Sequence, residues 1–434
     1  MIARRILIIG PSNIGDAILM SGVVALLRRR WPEAHLTLVV GARARALFID
    51  DPRVQVLVDA DRFDSALGRA KLAFALWRYR PQVVVDLRHT AHPLFLKPLS
   101  VWRYLRRPPR TIAHMRERQL WFLAAQAPSA RTQFNTQRDS ADCGLISQTD
   151  TLSATSSRNR RHPVGGVERR SRRVDPTGQA AAESPLWFVP RDETHVEALW
   201  SRWKLDAPST RAPASAGGPR SGFRPIPRPS ASGSCSSGAC PSDPEPQRGT
   251  GVQEDATGLP VGLHARPVVV ICPGARSHIK RWTAEGFARV ADRLIADCGA
   301  EVVFSGEPDE KTVIDEILGL MRGRAHNAVG LVTIRQLGLL MRRARLVITN
   351  DSASLHMASA VGAPTVAIFG PTDEAKYGPT APRRRTVRRR LFCAPCEQPL
   401  CRFSHECMRF ISADEVFRAA CELLEAGKSD PFDG

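Results

Sequence analysis

The sequence predicts an α/β fold made of two domains, each built around a parallel sheet with helices on its faces. Short apolar runs alternate with helical periodicity over residues 1–127 and again over 263–434. The apolar runs are nearly continuous, as expected for parallel strands that are buried on both faces. Two polar, aperiodic segments lie between these halves, so the sheets are expected to belong to separate domains.

The first half opens with a strand at residues 5–9, closed by Gly10 and Pro11. A helix is expected over 17–30, because apolar residues recur at helical spacing and Pro32 ends the pattern. By the same criteria we predict three further strands and one more helix, namely strands 36–40, 54–58 and 83–87 and helix 72–79.

The middle of the chain is predicted to be largely disordered. Residues 128–185 form a low-complexity insertion and 208–262 a low-complexity linker, both rich in Ser, Gly, Pro and Arg. Between them, residues 186–207 carry aromatic and aliphatic side chains at regular spacing. We predict that this segment is an ordered strand and helix of the N-terminal domain.

The second half, 263–434, repeats the alternation of strands and helices. Its predicted strands are 268–271, 301–304, 346–349 and 365–369, and its predicted helices are 283–297, 313–321, 337–341, 355–361 and 413–424. Two Rossmann-like halves of this kind hold a ligand in the cleft between them, outside the carboxyl ends of the strands.

Composition narrows the class of protein. The 434 residues include 62 basic and 43 acidic ones, giving a formal charge of +19, with arginine clusters over 103–118 and 383–390. Such clusters attract phosphates, but no zinc-finger, RNP or helix-turn-helix pattern accompanies them, so specific nucleic-acid binding is not expected. No apolar stretch reaches membrane-spanning length and no signal peptide is evident, so we expect a cytosolic protein.

The first candidate motif, Gly10 to Asp16, follows the first strand. Its two glycines are spaced as in a P-loop, but Asp16 stands where a P-loop needs lysine, and a carboxylate there repels phosphate. Gly15 permits a close backbone approach. Asp16 is either the helix N-cap, which the sequence alone favours, or a general base for a substrate hydroxyl.

The second and third motifs follow strands of the second half. Residues 273–283 contain Arg276, Lys280 and Arg281 ahead of a helix, which suits a diphosphate clamp or, alternatively, a basic surface loop. Residues 349–358 offer hydroxyls and backbone N–H groups at a helix start, which suits a phosphate. In this motif Asp351 can cap the helix or bind a sugar hydroxyl, and His356 can equally be a core histidine.

Two patterns are weaker. Asp59 and Asp61 resemble a carboxylate pair that holds a metal–diphosphate, but a turn explains so short a motif better. A cysteine-rich loop contains His405 and enough thiols for tetrahedral zinc, at a tighter spacing than common zinc modules; its cysteines are Cys393, Cys396, Cys401 and Cys407. We favour a reduced cysteine-rich loop, and a structural metal remains the alternative.

Taken together and in order, the motifs at 8–19, 273–282, 349–358 and 367–373 resemble the ADP-heptose:lipopolysaccharide heptosyltransferases of glycosyltransferase family 9. The segment 401–408 is similar to one found in some members. The resemblance implies a GT-B architecture, with an acceptor-side domain at 1–127 and a nucleotide-sugar-binding domain at 263–434. It also implies an inverting transferase that uses ADP-heptose as co-substrate and requires no metal or other cofactor.

The resemblance also implies residue roles. Asp16 matches the base that deprotonates the acceptor hydroxyl, and Lys280 matches the cation that stabilises the ADP leaving group. The segment that matches the nucleotide-sugar site contains Asp351, Ser352, Ala353 and His356, although Ala353 stands where many members have glycine. Neighbouring residues of the same loops complete the predicted binding site, namely Gly15, Arg276, Ser277 and Ser354.

The expected acceptor is a phosphorylated, lipid-linked glycan of the lipopolysaccharide-core type, met at the anionic inner face of the membrane through the arginine clusters. Two alternatives from other classes stay open. One is an epimerase-like GT-B enzyme acting on a nucleotide sugar, and the other is a non-enzymatic binder of anions or nucleic acid, which rests on the charge alone.

Overall fold

A computed structural model describes residues 5–63, 65–88, 96, 100–103, 111–126, 186–205 and 266–426. The predicted low-complexity segments 128–185 and 208–262 lie outside the described residues. Every sheet contact in the described part is parallel, and the strands form two separate sheets, as the alternation of strands and helices predicts.

The first sheet has five strands in the order β3-β2-β1-β4-β5. These strands are β1 (Arg5–Ile9), β2 (His35–Val40), β3 (Val56–Asp59), β4 (Val83–Asp86) and β5 (Ser100–Arg103). Its helices are α1 (Ile14–Arg30), α2 (Ala42–Arg45), α3 (Ala66–Arg78) and α4 (Met115–Gln126). The strand order reverses between β1 and β4, so the loop after β1 lies at a topological switch point.

A helix numbered α5 (Pro190–Arg202) separates the two sheets in the chain. The second sheet has six strands in the order β11-β10-β9-β6-β7-β8. They are β6 (Val268–Cys272), β7 (Glu301–Phe304), β8 (His326–Asn327), β9 (Leu346–Asn350), β10 (Thr365–Phe369) and β11 (Arg384–Arg388). Its helices are α6 (Ala284–Cys298), α7 (Lys311–Leu320), α8 (Ile334–Arg343), α9 (Ala353–Ala360), α10 (Glu374–Tyr377), α11 (Glu406–Arg409) and α12 (Ala413–Ala426).

Apolar strands buried on both faces hold each domain together. Leu7 and Ile8 of β1 are fully buried, and they point to opposite faces, so each belongs to a different apolar cluster. In the second sheet, Val269 and Val270 of β6 likewise point to opposite faces and belong to different apolar clusters. One of these clusters runs continuously from α1 of the first domain to α9 of the second, so apolar contact joins the two domains.

The segment around α5 differs from its prediction. Residues 186–189 are extended chain outside any sheet, whereas a strand was expected there. The helix lies mainly against α8 of the second domain, where we expected it in the first. Asp192 forms a buried ion pair with Arg335 at 2.9 Å, and the Arg343 guanidinium lies 4.5 Å from the centre of the Trp200 ring. The bond from the Arg191 side chain to Asp50 ties the same segment to the first domain.

Other differences have local causes. Helix α1 begins at Ile14, three residues before its predicted start, because the chain turns directly after Pro11. Helix α3 begins at Ala66, where the Ser65 hydroxyl accepts from Gly68 N–H as an N-cap, a signal that was overlooked. Strand β11 was read as a basic run, because an edge strand of the sequence RRTVR has no apolar alternation.

Candidate active site

The motifs singled out in the sequence meet at the switch points of the two sheets. In the second sheet the order reverses between β6 and β9. The basic loop 273–280 follows β6, and Asp351 and Ser352 follow β9, so both segments leave the sheet at this reversal. In the first sheet the loop that leads to Asp16 leaves from the equivalent position. Ligands of doubly wound sheets bind at such positions.

Asp16 lies in the first turn of α1 and is partly exposed. The N-cap position belongs to Asn13, so the hypothesis that Asp16 itself caps the helix is wrong. The only hydrogen bond of the Asp16 carboxylate within the described residues is a long one of 3.4 Å, from the amide of Asn13. Its negative charge is favourable at the helix N-terminus, and one carboxylate oxygen remains open to a substrate hydroxyl.

On the second-domain side of the contact between the domains, Lys280 and Asp351 form an ion pair. The Lys280 ammonium lies 2.7 Å from Asp351 Oδ2, and the same oxygen accepts a 2.5 Å hydrogen bond from the Thr372 hydroxyl. Asp351 is only 5% exposed, whereas the Lys280 side chain keeps 28% of its surface. A buried carboxylate therefore anchors a lysine whose side chain keeps part of its surface exposed.

The N-termini of α1 and α9 converge across the domain boundary. A Cβ atom at Gly15 would lie 3.1 Å from His356 Cδ2 and 3.7 Å from Ala353 Cα, so a glycine permits this close approach. The positive ends of two helix dipoles thus point into one region. The structure therefore brings Gly15, Asp16, Ala353 and His356 together, as the sequence predicts.

Arg276 and Ser277 occupy the loop between β6 and Lys280. The Arg276 guanidinium donates to the Asn13 side chain of the first domain, so this arginine spans the cleft. The Ser277 carbonyl accepts from Lys280 N–H at 3.1 Å and closes the turn that presents the lysine. Next to it, the rings of His278 and His405 meet edge to face with centroids 5.5 Å apart, which brings the cysteine-rich loop beside this site.

Asn350 and Trp282 fix the loops that carry Lys280 and Asp351. The Asn350 amide donates to Pro273 O at 2.6 Å and accepts from Trp282 N–H at 3.2 Å, while the indole N–H of Trp282 bonds to Ile411 O at 3.0 Å. All of these groups are buried, so the hydrogen bonds form at low local dielectric. They hold the second-domain half of the site rigid before any ligand binds.

His356 is buried and neutral at physiological pH. Burial lowers its pKa to about 4, against the opposing effects of the Asp351 and Asp16 carboxylates. His114 of the first domain also has a lowered pKa, chiefly through burial, and its Nε2 lies 3.1 Å from Gly378 O in the second domain. Two uncharged imidazoles therefore line the domain contact, which reconciles the core-histidine reading of His356 with its place at the site.

Three residues near the site were not assigned roles from the sequence. Thr372 lies in the motif 367–373, and the sequence does not predict its bond to Asp351. Burial raises the pKa of Tyr377, helped by the nearby Asp16 charge, and the Lys280 ammonium lies 6.0 Å from the ring centre. Burial likewise raises the pKa of Glu310, whose carboxylate occupies the space that a side chain at Gly274 would fill.

The two serine hydroxyls near the start of α9 differ in their contacts. Ser352 is the N-cap residue, yet its hydroxyl makes no capping bond and instead lies 3.4 Å from the Thr349 hydroxyl. Ser354 hydrogen-bonds the thiol of Cys272, whose pKa is raised to about 12 by burial. Ser352 is thus the better placed of the two to bind a phosphate, whereas Ser354 is already engaged with the core.

The weaker sequence patterns form ordinary structure in the described residues. The Asp59 and Asp61 carboxylates accept from backbone N–H groups, at 3.1 Å from Asp61 and at 2.8 Å from Ala42, so a turn accounts for both. Within the described ranges, no group of three or more His, Cys, Asp or Glu side chains converges as metal ligands do. The four thiols of the cysteine-rich loop are free, and the other three raise the pKa of Cys407 beyond the main effect of its burial.

The arginine clusters are less available to an acceptor than expected. Three arginines on or beside β11 have carboxylate partners at 2.8–2.9 Å, namely Arg385 with Glu422, Arg388 with Glu374 and Arg389 with Glu415. In the other cluster, Arg116 is buried, and residues 104–110 lie outside the described residues. None of the helices described is both long and apolar enough to cross a membrane.

Comparison with known proteins agrees with the fold and with the motifs of the second half. Residues 243–406 match the model of glycosyltransferase family 9 (heptosyltransferase). The lipopolysaccharide heptosyltransferase 2 of Salmonella typhimurium is 30% identical over 128 residues, which are 28% of this chain and 36% of the relative. The lipooligosaccharide heptosyltransferase 2 of Campylobacter jejuni is 30% identical over 37% of this chain and 52% of its own length. The chain thus spans about a third to a half of these curated relatives.

The architecture matches a solved structure over nearly the whole chain. The ADP-heptose lipopolysaccharide heptosyltransferase II of Escherichia coli superposes with a TM-score of 0.58 and 19% identity, covering 98% of this chain and 100% of the other. At this identity the likeness establishes the fold, which is the two-domain GT-B architecture expected from the sequence.

Proposed function

We propose that the chain is an inverting glycosyltransferase of family 9, which its match to the family model over residues 243–406 supports. Its donor is a nucleotide sugar, ADP-heptose, the sugar named for the E. coli protein of the same fold. Its acceptor is a hydroxyl of a phosphorylated, lipid-linked glycan of the lipopolysaccharide-core type, which the names of the curated relatives support. We place this activity in the cytoplasm.

One observation carries the proposal. The α1 end that presents Asp16 meets the α9 end that begins at Ala353, and the anchored Lys280 lies beside Asp351 directly before that helix. A partly exposed carboxylate and a partly exposed lysine thus come from different domains, at the switch points of two sheets. Single displacement needs a base on one side of the sugar and stabilisation of the leaving group on the other.

The proposed reaction follows from these positions. Asp16 accepts the proton of the acceptor hydroxyl as its oxygen attacks the anomeric carbon. The bond between that carbon and the diphosphate oxygen breaks, its electron pair leaves with ADP, and the configuration inverts. Lys280 and the backbone N–H groups at the start of α9 stabilise the negative charge on the diphosphate. Contact between the domains excludes the water that would otherwise hydrolyse the donor.

Two further roles concern donor binding. We assign Glu310 to a ribose hydroxyl, because it follows β7, the neighbour of β6, and acidic side chains at such strand ends bind ribose. The proximity of its carboxylate to Gly274 puts it against the backbone of the phosphate-binding loop. Ser352 and Arg276 are assigned to the phosphates, which requires Arg276 to exchange Asn13 for the donor.

Binding and product analysis of the purified full chain tests the proposal. ADP-heptose should bind more tightly than UDP- or GDP-sugars. The Lys311→Ala variant is a control, because Lys311 pairs with Asp315 in α7, and this variant should bind ADP-heptose as tightly as the wild type. With a lipopolysaccharide-core acceptor, sugar should pass to the glycan and release ADP. Selective binding of another nucleotide sugar would overturn the donor assignment. Isomerised donor in the absence of acceptor would instead favour the epimerase-like alternative.

A further inference from the structure

Helix α3 of the first domain carries large apolar side chains on its outer face. Leu67, Phe74 and Trp77 are 67%, 64% and 51% exposed, and the rings of Phe74 and Trp77 stack with centroids 6.0 Å apart. On the opposite side, Leu72 and Leu76 are buried against the sheet. The helix is therefore apolar on both sides, which its packing on the first domain does not require.

The polar residues of this outer face are all basic. Lys71 and Arg78 lie within the same arc of roughly 120° as the three exposed apolar side chains, by the helical period. Arg69 adds a third exposed cation, and α3 contains no acidic residue. Among the described residues none of these three cations has an ion-pair partner. By contrast, Arg385 and Arg388 of β11 and Arg389 beside it are paired with glutamates.

We infer that the outer face of α3 docks on the surface of an anionic lipid bilayer. Aromatic and leucine side chains flanked by unpaired lysine and arginine form the pattern of an interfacial helix. The rings and Leu67 enter the headgroup region, while the long cationic side chains extend towards the phosphates. Charge complementarity selects an anionic bilayer as the occupant, since the face offers only positive charge.

The position of α3 suits this role in the proposed function. The strands are parallel, so the carboxyl ends of β1 and β3 lie at the same end of the sheet. Helix α1 follows β1 and helix α3 follows β3, so both helices begin at that end. The Leu67 end of the docking face thus lies at the same end of the first domain as Asp16, and Phe74 and Trp77 lie about 10–15 Å further along the helix. Docking would bring the acceptor side of the cleft to the membrane that holds a lipid-linked acceptor. The inference deepens the proposed function, but membrane binding itself needs no donor.

Vesicle flotation with the full chain tests the docking face. The protein should bind vesicles of equimolar phosphatidylcholine and phosphatidylglycerol, and added salt should weaken this binding. The double variant Phe74→Ser/Trp77→Ser should bind at least about ten-fold more weakly, because two aromatic side chains no longer enter the interface. Trp187→Ser removes a 40% exposed tryptophan elsewhere and should bind like the wild type.

A second variant tests the charge contribution. Lys71→Gln/Arg78→Gln should bind the anionic vesicles about 25-fold more weakly and respond less to salt, since each of the two cations near the surface contributes about five-fold in affinity. All variants should keep the wild-type midpoint of urea unfolding, which reports that the first domain, which contains α3, stays folded. Binding of the Phe74/Trp77 variant equal to that of the wild type would overturn the inference. So would wild-type binding that does not distinguish anionic from pure phosphatidylcholine vesicles.

The outcomes for docking and for sugar transfer are separable. Transfer to a delipidated core oligosaccharide without any binding to vesicles would overturn the docking face and leave the proposed function intact. Vesicle binding that depends on α3, in a protein that binds no nucleotide sugar, would support the docking face and remove the proposed function.

Discussion

The two sides of the cleft are built differently. On the first domain, Asp16 has one long hydrogen bond of 3.4 Å and is partly exposed. On the second, Asp351 is buried and holds both Lys280 and Thr372 through one oxygen, at 2.7 and 2.5 Å. The Asp16 carboxylate therefore keeps one oxygen without a partner among the described residues, whereas the Asp351 carboxylate is already engaged in holding a cation.

The largest expected effect on the rate of sugar transfer comes from changing Asp16, on the first-domain side of the cleft. Asp16→Asn keeps the size and helix position of the side chain but removes its basicity, so the rate of sugar transfer should fall about 10²–10⁴-fold. A steady-state transfer assay measures this change. Asp61→Asn in the same domain is the control, because its amide oxygen can still accept from Ala42 N–H, and its rate should stay near wild type. Full activity of Asp16→Asn would end the assignment of Asp16 as the base.

Removing the Lys280 cation tests the second-domain side of the cleft, where Asp351 holds this lysine. Lys280→Ala should lower the transfer rate about 10²-fold, because the leaving group loses its counter-charge. It also leaves the Asp351 carboxylate buried, unneutralised and facing the phosphates. Adding Asp351→Asn to Lys280→Ala should therefore restore part of the affinity for ADP. If the double variant binds ADP no better than Lys280→Ala alone, Asp351 does not act through the lysine.

The buried histidine predicts a pH dependence of stability. The pKa of His356 is about 4 in the folded state, against an ordinary histidine value of 6.5, so the unfolded chain takes up this proton first as the pH falls. The contribution of neutral His356 is complete above pH 6.5 and is lost between 6.5 and about 4. It amounts to about 3 kcal/mol of the free energy of unfolding.

Urea unfolding at several pH values checks this prediction. His356→Gln should flatten the decline in stability between neutral and acidic pH, while the part that is due to His114, whose pKa is also lowered, should remain. An identical pH slope in the wild type and in His356→Gln would show that His356 does not carry the effect.

The smallest effect is expected at Thr372. Thr372→Val removes the hydroxyl bond to Asp351 while keeping the shape. It should lower the transfer rate by less than about ten-fold, because Asp351 keeps its ion pair with Lys280 and the hydroxyl acts only through that carboxylate. Thr372→Ser keeps the hydroxyl and should retain most of the activity. A loss at Thr372→Val as large as that at Lys280→Ala would mean that the hydroxyl contacts the substrate itself.

Much of the fold could be predicted, because buried parallel strands appear as continuous apolar runs. Strands β1, β6 and β10 illustrate this, since each is buried along nearly its whole length. Strand β11 could not be found in this way, because its arginines pair with glutamates of α10 and α12 that are distant in sequence. The contact of α5 with α8 likewise depends on ion pairs between residues that are distant in the sequence, which no local pattern predicts.

The candidate site was predictable where loops follow strands, and not where it depends on tertiary contacts. Asp16, Lys280 and Asp351 follow strand ends, which marks them in the sequence. The bond between Thr372 and Asp351 joins the ends of two strands and needed the structure. Glu310 was missed although a signal existed, because it is an acidic residue shortly after the strand that follows the phosphate-binding loop.

The affinity of ADP for Asp16→Asn and for Lys280→Ala, measured side by side by titration calorimetry, tests the division of labour between the two domains most directly. The account predicts that Asp16→Asn binds ADP within about two-fold of the wild type, since a proton acceptor adds nothing to binding of the leaving group. Lys280→Ala should bind at least about ten-fold more weakly, because it loses the counter-charge of the diphosphate. Equal weakening in both variants, or weakening at Asp16 alone, would contradict this division.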